Sequence, residues 1–116
     1  MMLVIGGHAA GKLDYIKSLG YSDGDISENA SDNKPVLYGL QKLVAQSPEN
    51  APSLLPALLN KKVVVCDEVG SGVIPLERRD RAAREATGRL CVLLAAYADT
   101  VVRVVAGIPT VIKGAV

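Results

Sequence analysis

Three short segments rich in β-branched residues, 2–5 (MLVI), 62–66 (KVVVC) and 100–105 (TVVRVV), are separated by connections long enough to hold helices. Strands joined in this way pair in parallel through right-handed crossovers, because only antiparallel neighbours can be linked by a tight turn. Parallel strands are covered on both faces, and a composition of 49% hydrophobic residues with no Phe or Trp supplies the Val, Leu, Ile and Ala that such a core uses. The chain therefore reads as α/β, a mainly parallel sheet flanked by helices. Any ligand site is expected beyond the carboxyl ends of the strands. A length of 116 residues suits one domain spanning residues 1–116.

Between the strands, helices are expected over residues 11–19, closed by Gly20, and over 36–46, where Pro35 suits a first helical turn and Leu37, Leu40, Leu43 and Val44 share helical spacing. A further short helix is expected over 51–59. The longest helical signal covers 76–99, with Ala83, Ala86, Leu90, Leu93, Leu94 and Tyr97 along one face. Residues 21–35 (YSDGDISENASDNKP) lack an apolar period and read as an exposed loop, and AGIP closes the last strand.

The charge pattern excludes several classes of function. A net charge of +1 offers no general attraction to nucleic acid or an anionic membrane. The run ERRDRAAREATGR is a solvated helix face, since Glu77 with Arg81, Asp80 with Arg84 and Glu85 with Arg89 are i,i+4 pairs worth about 0.3 kcal/mol each. No segment approaches the roughly 20 apolar residues that span a bilayer, and the apolar start is too short for a secretion signal. Cys66 and Cys91 read as reduced thiols; their separation in sequence and the lack of a CxxC partner argue against a redox role. A cytoplasmic protein is expected.

One motif carries chemistry. Directly after the first strand comes GGHAAGKL, with Gly6, Gly11 and Lys12 in the spacing of a phosphate-binding loop. In such a loop the backbone N–H groups of Gly7, His8, Ala9, Ala10, Gly11 and Lys12 turn towards phosphate oxygens, the following helix adds partial positive charge, and the lysine reaches the terminal phosphates. Leu13 stands where the pattern has Ser or Thr, so the hydroxyl that would reach Mg²⁺ is missing. Asp67 and Glu68, at the carboxyl end of the second long strand, are the best-placed substitutes, holding Mg²⁺ directly or through water. His8 is the only histidine; it either meets a phosphate or second substrate, or simply faces solvent. The competing view of the motif is a glycine turn with an exposed lysine, and of the acids a solvated strand end.

With these residues in hand, two stretches resemble the bifunctional adenosylcobinamide kinase / adenosylcobinamide-phosphate guanylyltransferases of cobalamin biosynthesis. DEVGSGVIP is similar to that family's Asn-Glu-Val-Gly-x-Gly-Ile-Val-Pro, and REATGRLCVLLAAYADTVVRVVAGIPTVIK to its Arg-Asp-x-x-Gly-x-x-Asn-Gln segment with a later Ala-Asp-x-Val and Val-Ala-Gly-x-Pro. With VIGGHAAGK the similarity covers roughly half the chain. The resemblance implies a RecA-like P-loop NTPase fold, ATP or GTP as donor, Mg²⁺, a corrinoid acceptor (adenosylcobinamide) and a homotrimer. By position it implies that Gly6, Gly11 and Lys12 hold the triphosphate, with Leu13 completing the loop, and that Glu68, Val69, Gly70 and Gly72 form a second loop beside it.

The departures from the family are Leu13 for Ser, Asp67 for Asn, Glu85 for Asp and Cys91 for Asn. The chain is also shorter than the family, and its residues 21–35 hold no histidine where the family takes up GMP. Two functions are therefore expected. In the first, a kinase-like phosphoryl transfer survives without the guanylyltransferase step: Lys12 stabilises the transferred group, and Asp67 or Glu68 places Mg²⁺ or accepts the acceptor hydroxyl's proton, Asp67 being the metal ligand and Glu68 the catalytic carboxylate of choice. In the second, the chain is a non-catalytic paralogue that binds nucleotide or corrinoid or serves as an assembly subunit.

Overall fold

A computed structural model describes residues 1–68 and 77–116. The sheet has six strands: β1 (Met2–Gly6), β2 (Ile26–Ser27), β3 (Val36–Tyr38), β4 (Val63–Asp67), β5 (Thr100–Val105) and β6 (Ile108–Lys113). Their spatial order is β2-β3-β4-β1-β5-β6, all parallel except β6, which runs antiparallel to β5. The helices are α1 (Lys12–Ser18), α2 (Leu40–Gln46), α3 (Leu55–Leu59) and α4 (Arg78–Tyr97). The expected α/β class with a mainly parallel sheet is thus the observed one. Among the described residues no helix is long and apolar enough to cross a membrane.

The continuous apolar runs of β1 and β4 follow from burial on both faces. Successive side chains point to opposite sides. Val4, Val63, Val65, Val102 and Val104 pack with Ile16 of α1 on one face. Leu3, Val64, Cys66 and Val101 pack with Leu40, Val44, Leu58, Leu90 and Leu94 from the helices on the other. Burying each such Leu or Val contributes on the order of 2 kcal/mol, so the two-sided cover is what holds β1 and β4 at the centre.

The structure corrects four local expectations. Residues 36–38 form β3 rather than the start of a helix: Val36, Leu37 and Tyr38 pair with Val63, Val64 and Val65, and Gly39, at φ 81°, turns the chain so that α2 begins only at Leu40. Leu37 and Leu40 still share one core, which is how strand, turn and helix together imitated a helical stripe. Residues 21–35 are not simply an exposed loop, for they contain a 3₁₀ turn at Asp23–Asp25, strand β2 and the buried Ala30. Residues 51–59 divide into a 3₁₀ segment, Pro48–Leu54, and the short α3. Pro52 and Pro56 lack the N–H that a continuous α-helix would use. Finally, Ala106 (φ 49°) and Gly107 (φ 76°) do not end the sheet but make the two-residue turn of a β5–β6 hairpin, both with the positive φ of a type I′ turn.

Residues 21–35 are tied down by Lys61, buried before β4, whose Nζ donates to the Asp32 carboxylate and to the carbonyls of Asp32 and Lys34 at 3.3 and 2.7 Å. The Lys61 hydrogen bond is the main reason that the Asp32 carboxyl is lowered to about 2. A group held below its unfolded value of about 4 contributes stability above that pH and loses it as pH falls through the folded value. Asp32→Asn is therefore expected to lower the thermal midpoint at pH 7, with the gap from wild type closing between about pH 4 and 2; melts of both proteins across that window measure it.

Candidate functional site

The site grows from the register of the two central strands. Pairing of β1 with β4 sets Gly6 opposite Asp67, and the Glu68 N–H donates to the Gly6 carbonyl at 2.7 Å. Both acids therefore stand at the mouth of the glycine loop. A Cβ on Gly6 would lie 2.6 Å from the Val104 carbonyl oxygen of β5, so no other residue fits there without moving a strand.

Beyond Gly6 the loop folds tightly. The Ala10 N–H donates to the Gly7 carbonyl at 3.2 Å, Ala9 has φ 58° and Gly11 has φ 95°. The Gly107 N–H, in the β5–β6 turn, donates to the Ala10 carbonyl at 2.8 Å, and a Cβ on Gly11 would meet Gly107 Cα at 3.0 Å. The hairpin that the sequence concealed is thus a wall of the loop. At Lys12 the chain enters α1, whose first-turn N–H groups have no acceptor within the helix.

Lys12 turns back beneath the loop. Its Nζ donates to the Gly6 and Gly7 carbonyls at 3.2 and 2.6 Å and pairs with Asp67 Oδ1 at 2.8 Å, with only 2% of the side chain exposed. Asp67 Oδ2 lies 3.5 Å from Nδ1 of the fully solvated His8, and the Asp67 N–H donates to Gln41 Oε1 at 3.0 Å. Glu68 is held differently: Arg103 of β5 reaches across β1 and donates to it through Nε and Nη2, the second at 3.1 Å. That bidentate hydrogen bonding, ahead of any burial effect, keeps the Glu68 carboxyl below its usual range and raises Arg103.

The strand ends also carry a cavity of about 260 Å³ lined by Ala9, Ala10, Gly11, Lys12, Leu13, Asp14 and Tyr38. Leu13 lines it at the position where a hydroxyl residue was expected, and the hydroxyl-bearing residue among the described lining residues is Tyr38, at the end of β3. Larger depressions, about 470 Å³ beside Pro48–Leu54 and about 450 Å³ around Lys61 at the amino ends of β3 and β4, share no residue with this cluster. Among the described residues no group of three or more His, Cys, Asp and Glu is placed to hold a metal by itself. A cation at Asp67 would need oxygens from elsewhere, such as phosphates and water, which is the usual arrangement for Mg²⁺.

The structure thus gathers Gly6, Gly7, His8, Ala9, Ala10, Gly11, Lys12, Leu13, Asp67 and Glu68 at one end of the sheet. Val69, Gly70 and Gly72 of the expected second loop lie outside the described residues. Tyr38, Gln41 and Arg103 were missed. Tyr38 was hidden in a three-residue strand, Gln41 has no sequence signal, and Arg103 had one, as the only charge in TVVRVV.

Fold and site together define an α/β protein in which a buried lysine and two carboxylates surround a glycine loop at the carboxyl ends of parallel strands. Residues 28–112, well over half of the chain, match the family described as cobinamide kinase / cobinamide phosphate guanyltransferase, and the chain belongs to that family. The match takes in Asp67, Glu68 and Arg103; the glycine loop and Lys12 precede it. A comparison with curated proteins gives no match.

Loop geometry makes a contrast between two neighbouring glycines. Gly11→Ala forces an L-residue into a left-handed conformation against Gly107, costing about 1–2 kcal/mol from the backbone alone, whereas Gly7, where an added Cβ would meet nothing within 4 Å, should accept Ala within about 0.5 kcal/mol. Denaturant midpoints of the two variants check this.

Proposed function

We propose that the chain binds a nucleoside triphosphate, ATP or GTP, in a P-loop of RecA-like type and transfers its terminal phosphoryl group to cobinamide, with adenosylcobinamide the acceptor, as a cytoplasmic step of cobalamin biosynthesis. The observation that carries this is the buried Lys12 ammonium, fixed beneath the glycine loop and 2.8 Å from Asp67. Family membership supports the substrate class, since the family's description names a kinase for cobinamide.

The roles follow from charge and position. Backbone N–H groups of residues 7–12 cradle the phosphates, and Lys12 exchanges the Gly6 and Gly7 carbonyls for phosphate oxygens. Asp67, a hard oxygen ligand whose Oδ2 lies 3.5 Å from the solvated His8, fits Mg²⁺ held jointly with phosphates. Bound there, Mg²⁺ neutralises charge on the phosphate oxygens. Glu68, kept ionised and oriented by Arg103, accepts the hydrogen bond of the acceptor hydroxyl; the loose transition state of phosphoryl transfer does not demand a strong base. The single histidine, His8, sits in the loop, so a guanyltransferase step through a histidine elsewhere in the chain has no residue to carry it.

A second reading rests on Leu13. A leucine lining the cavity where the pattern has a hydroxyl residue suits a paralogue that binds nucleotide or corrinoid without turnover. Calorimetric titration with Mg·ATP and Mg·GTP separates the cases when paired with turnover assays on adenosylcobinamide. Lys12→Ala is expected to weaken nucleotide binding at least tenfold, about 1.4 kcal/mol, and Leu13→Ser to strengthen its Mg²⁺ dependence. Equal binding by wild type and Lys12→Ala overturns the site; binding without phosphorylated product favours the paralogue.

A homotrimer belongs to the same proposal. It is supported by the apolar residues that α4 and β6 leave in solvent, including Val92, Tyr97, Ile108 and Ile112 at 57–71% exposed. Light scattering at micromolar concentration should return three times the chain mass, and Ile108→Lys with Ile112→Lys should return one.

A further inference from the structure

Five of the seven lysines have partners. Lys12, Lys17, Lys42 and Lys61 form ion pairs with Asp67, Asp23, Glu28 and Asp32, and Lys113 Nζ donates to the Ala95 and Ala96 carbonyls at the end of α4. The two that remain, Lys34 and Lys62, line one and the same cavity, that of about 450 Å³ at the amino ends of β3 and β4. Neither ammonium has a hydrogen-bond or ion-pair partner among the described residues. The side-chain amides of Asn33 and Asn60 line the cavity as well and are likewise without partners.

The backbone that carries these groups is fixed. Lys62 donates its N–H to the Pro35 carbonyl at 2.9 Å and accepts the Met2 N–H at 2.8 Å. The Lys34 N–H donates to Asp32 Oδ1 at 3.1 Å, and the buried Lys61 Nζ ties down the carbonyls of Asp32 and Lys34. Asp32 is the single carboxylate of the lining, and Lys61 already occupies it. Three cations thus face one paired anion, and a concave surface of one sign concentrates counter-ions. The volume lies within the roughly 300–1,000 Å³ of small-molecule sites.

We propose that this cavity is an anion site for a phosphate group, free or carried on a small molecule, held by the ammonium groups of Lys34 and Lys62 with Asn33 and Asn60 donating to its oxygens. Charge selects the ligand. A phosphate monoester carries nearly two negative charges at neutral pH, which match two point-charge lysines, and its further oxygens accept from the amides. A lone carboxylate, with a single charge, would leave one ammonium uncompensated. The site stands at the opposite end of β4 from Asp67, shares no residue with the glycine loop, and does not rest on nucleotide binding there.

Amide chemical shifts of the isotopically labelled full chain, titrated with inorganic phosphate and with glycerol 3-phosphate at pH 7.5 and constant ionic strength, test this. Residues 31–34 and 60–62 are expected to shift and saturate with at least one of the two. Tighter binding of the ester assigns a phosphorylated small molecule, whereas equal or weaker binding assigns free phosphate. Any phosphate taken by the glycine loop reads out separately, at residues 7–13. Lys34→Gln with Lys62→Gln, both exposed, should weaken binding by about tenfold or more and leave the rest of the spectrum in place, while Lys34→Arg with Lys62→Arg should retain it. Shifts that sodium chloride reproduces, shifts confined to residues 7–13, or undiminished binding by the glutamine variant would each overturn the proposal.

Discussion

A lysine ammonium removed from water must find acceptors on the spot, because an uncompensated buried charge costs several kcal/mol. Lys12 finds two carbonyls and one carboxylate, and the pairing of β1 with β4 sets the carboxylate of Asp67 opposite Gly6. A slip of that register by one residue would carry Asp67 away from Gly6 and turn its side chain to the opposite face. The ion pair and the centre of the sheet therefore depend on each other. Two-sided apolar burial holds the strands in parallel, the parallel register brings the carboxylate to the loop, and the carboxylate makes the lysine's burial tolerable.

The glycines of the loop answer to packing more than to flexibility. Gly6 is required by the Val104 carbonyl and Gly11 by Gly107, so β5 and the hairpin turn press on the loop from one side while β4 supplies its acids from the other. The antiparallel edge strand, remote from the chemistry in sequence, helps to shape the loop through the bond from Gly107 to Ala10. The family match omits the loop yet includes both of these flanking walls.

Around that frame the charges are divided between two carboxylates with different partners. Asp67 shares its oxygens between a buried lysine and an exposed histidine, whereas Glu68 is clamped by one guanidinium in a two-pronged hydrogen bond. The first joins a carboxylate to a point charge; the second is directional and keeps its carboxylate oriented. Leu13 of α1 and Tyr38 of β3 both line the cavity beside the loop.

Residues 2–5, 62–66 and 100–105 were legible as strands and 76–99 as a helix because β-branching and a long apolar period are local properties that burial then reinforces. The loop from Gly6 to Lys12 and the acids at Asp67 and Glu68 were legible for the same reason: spacing along the chain carries them. Strands β2, β3 and β6 were not, being two, three and six residues that exist only because a neighbouring strand offers partners for their hydrogen bonds. Nor could sequence disclose Lys61 on Asp32 or Arg103 on Glu68, since each joins residues distant in the chain. What the sequence determined by itself was the alternation of strand and helix and the glycines and lysine of the first turn. What only the tertiary structure decided was which distant side chains share a place, because that follows from strand order and register, and these are settled by the burial of the whole sheet at once.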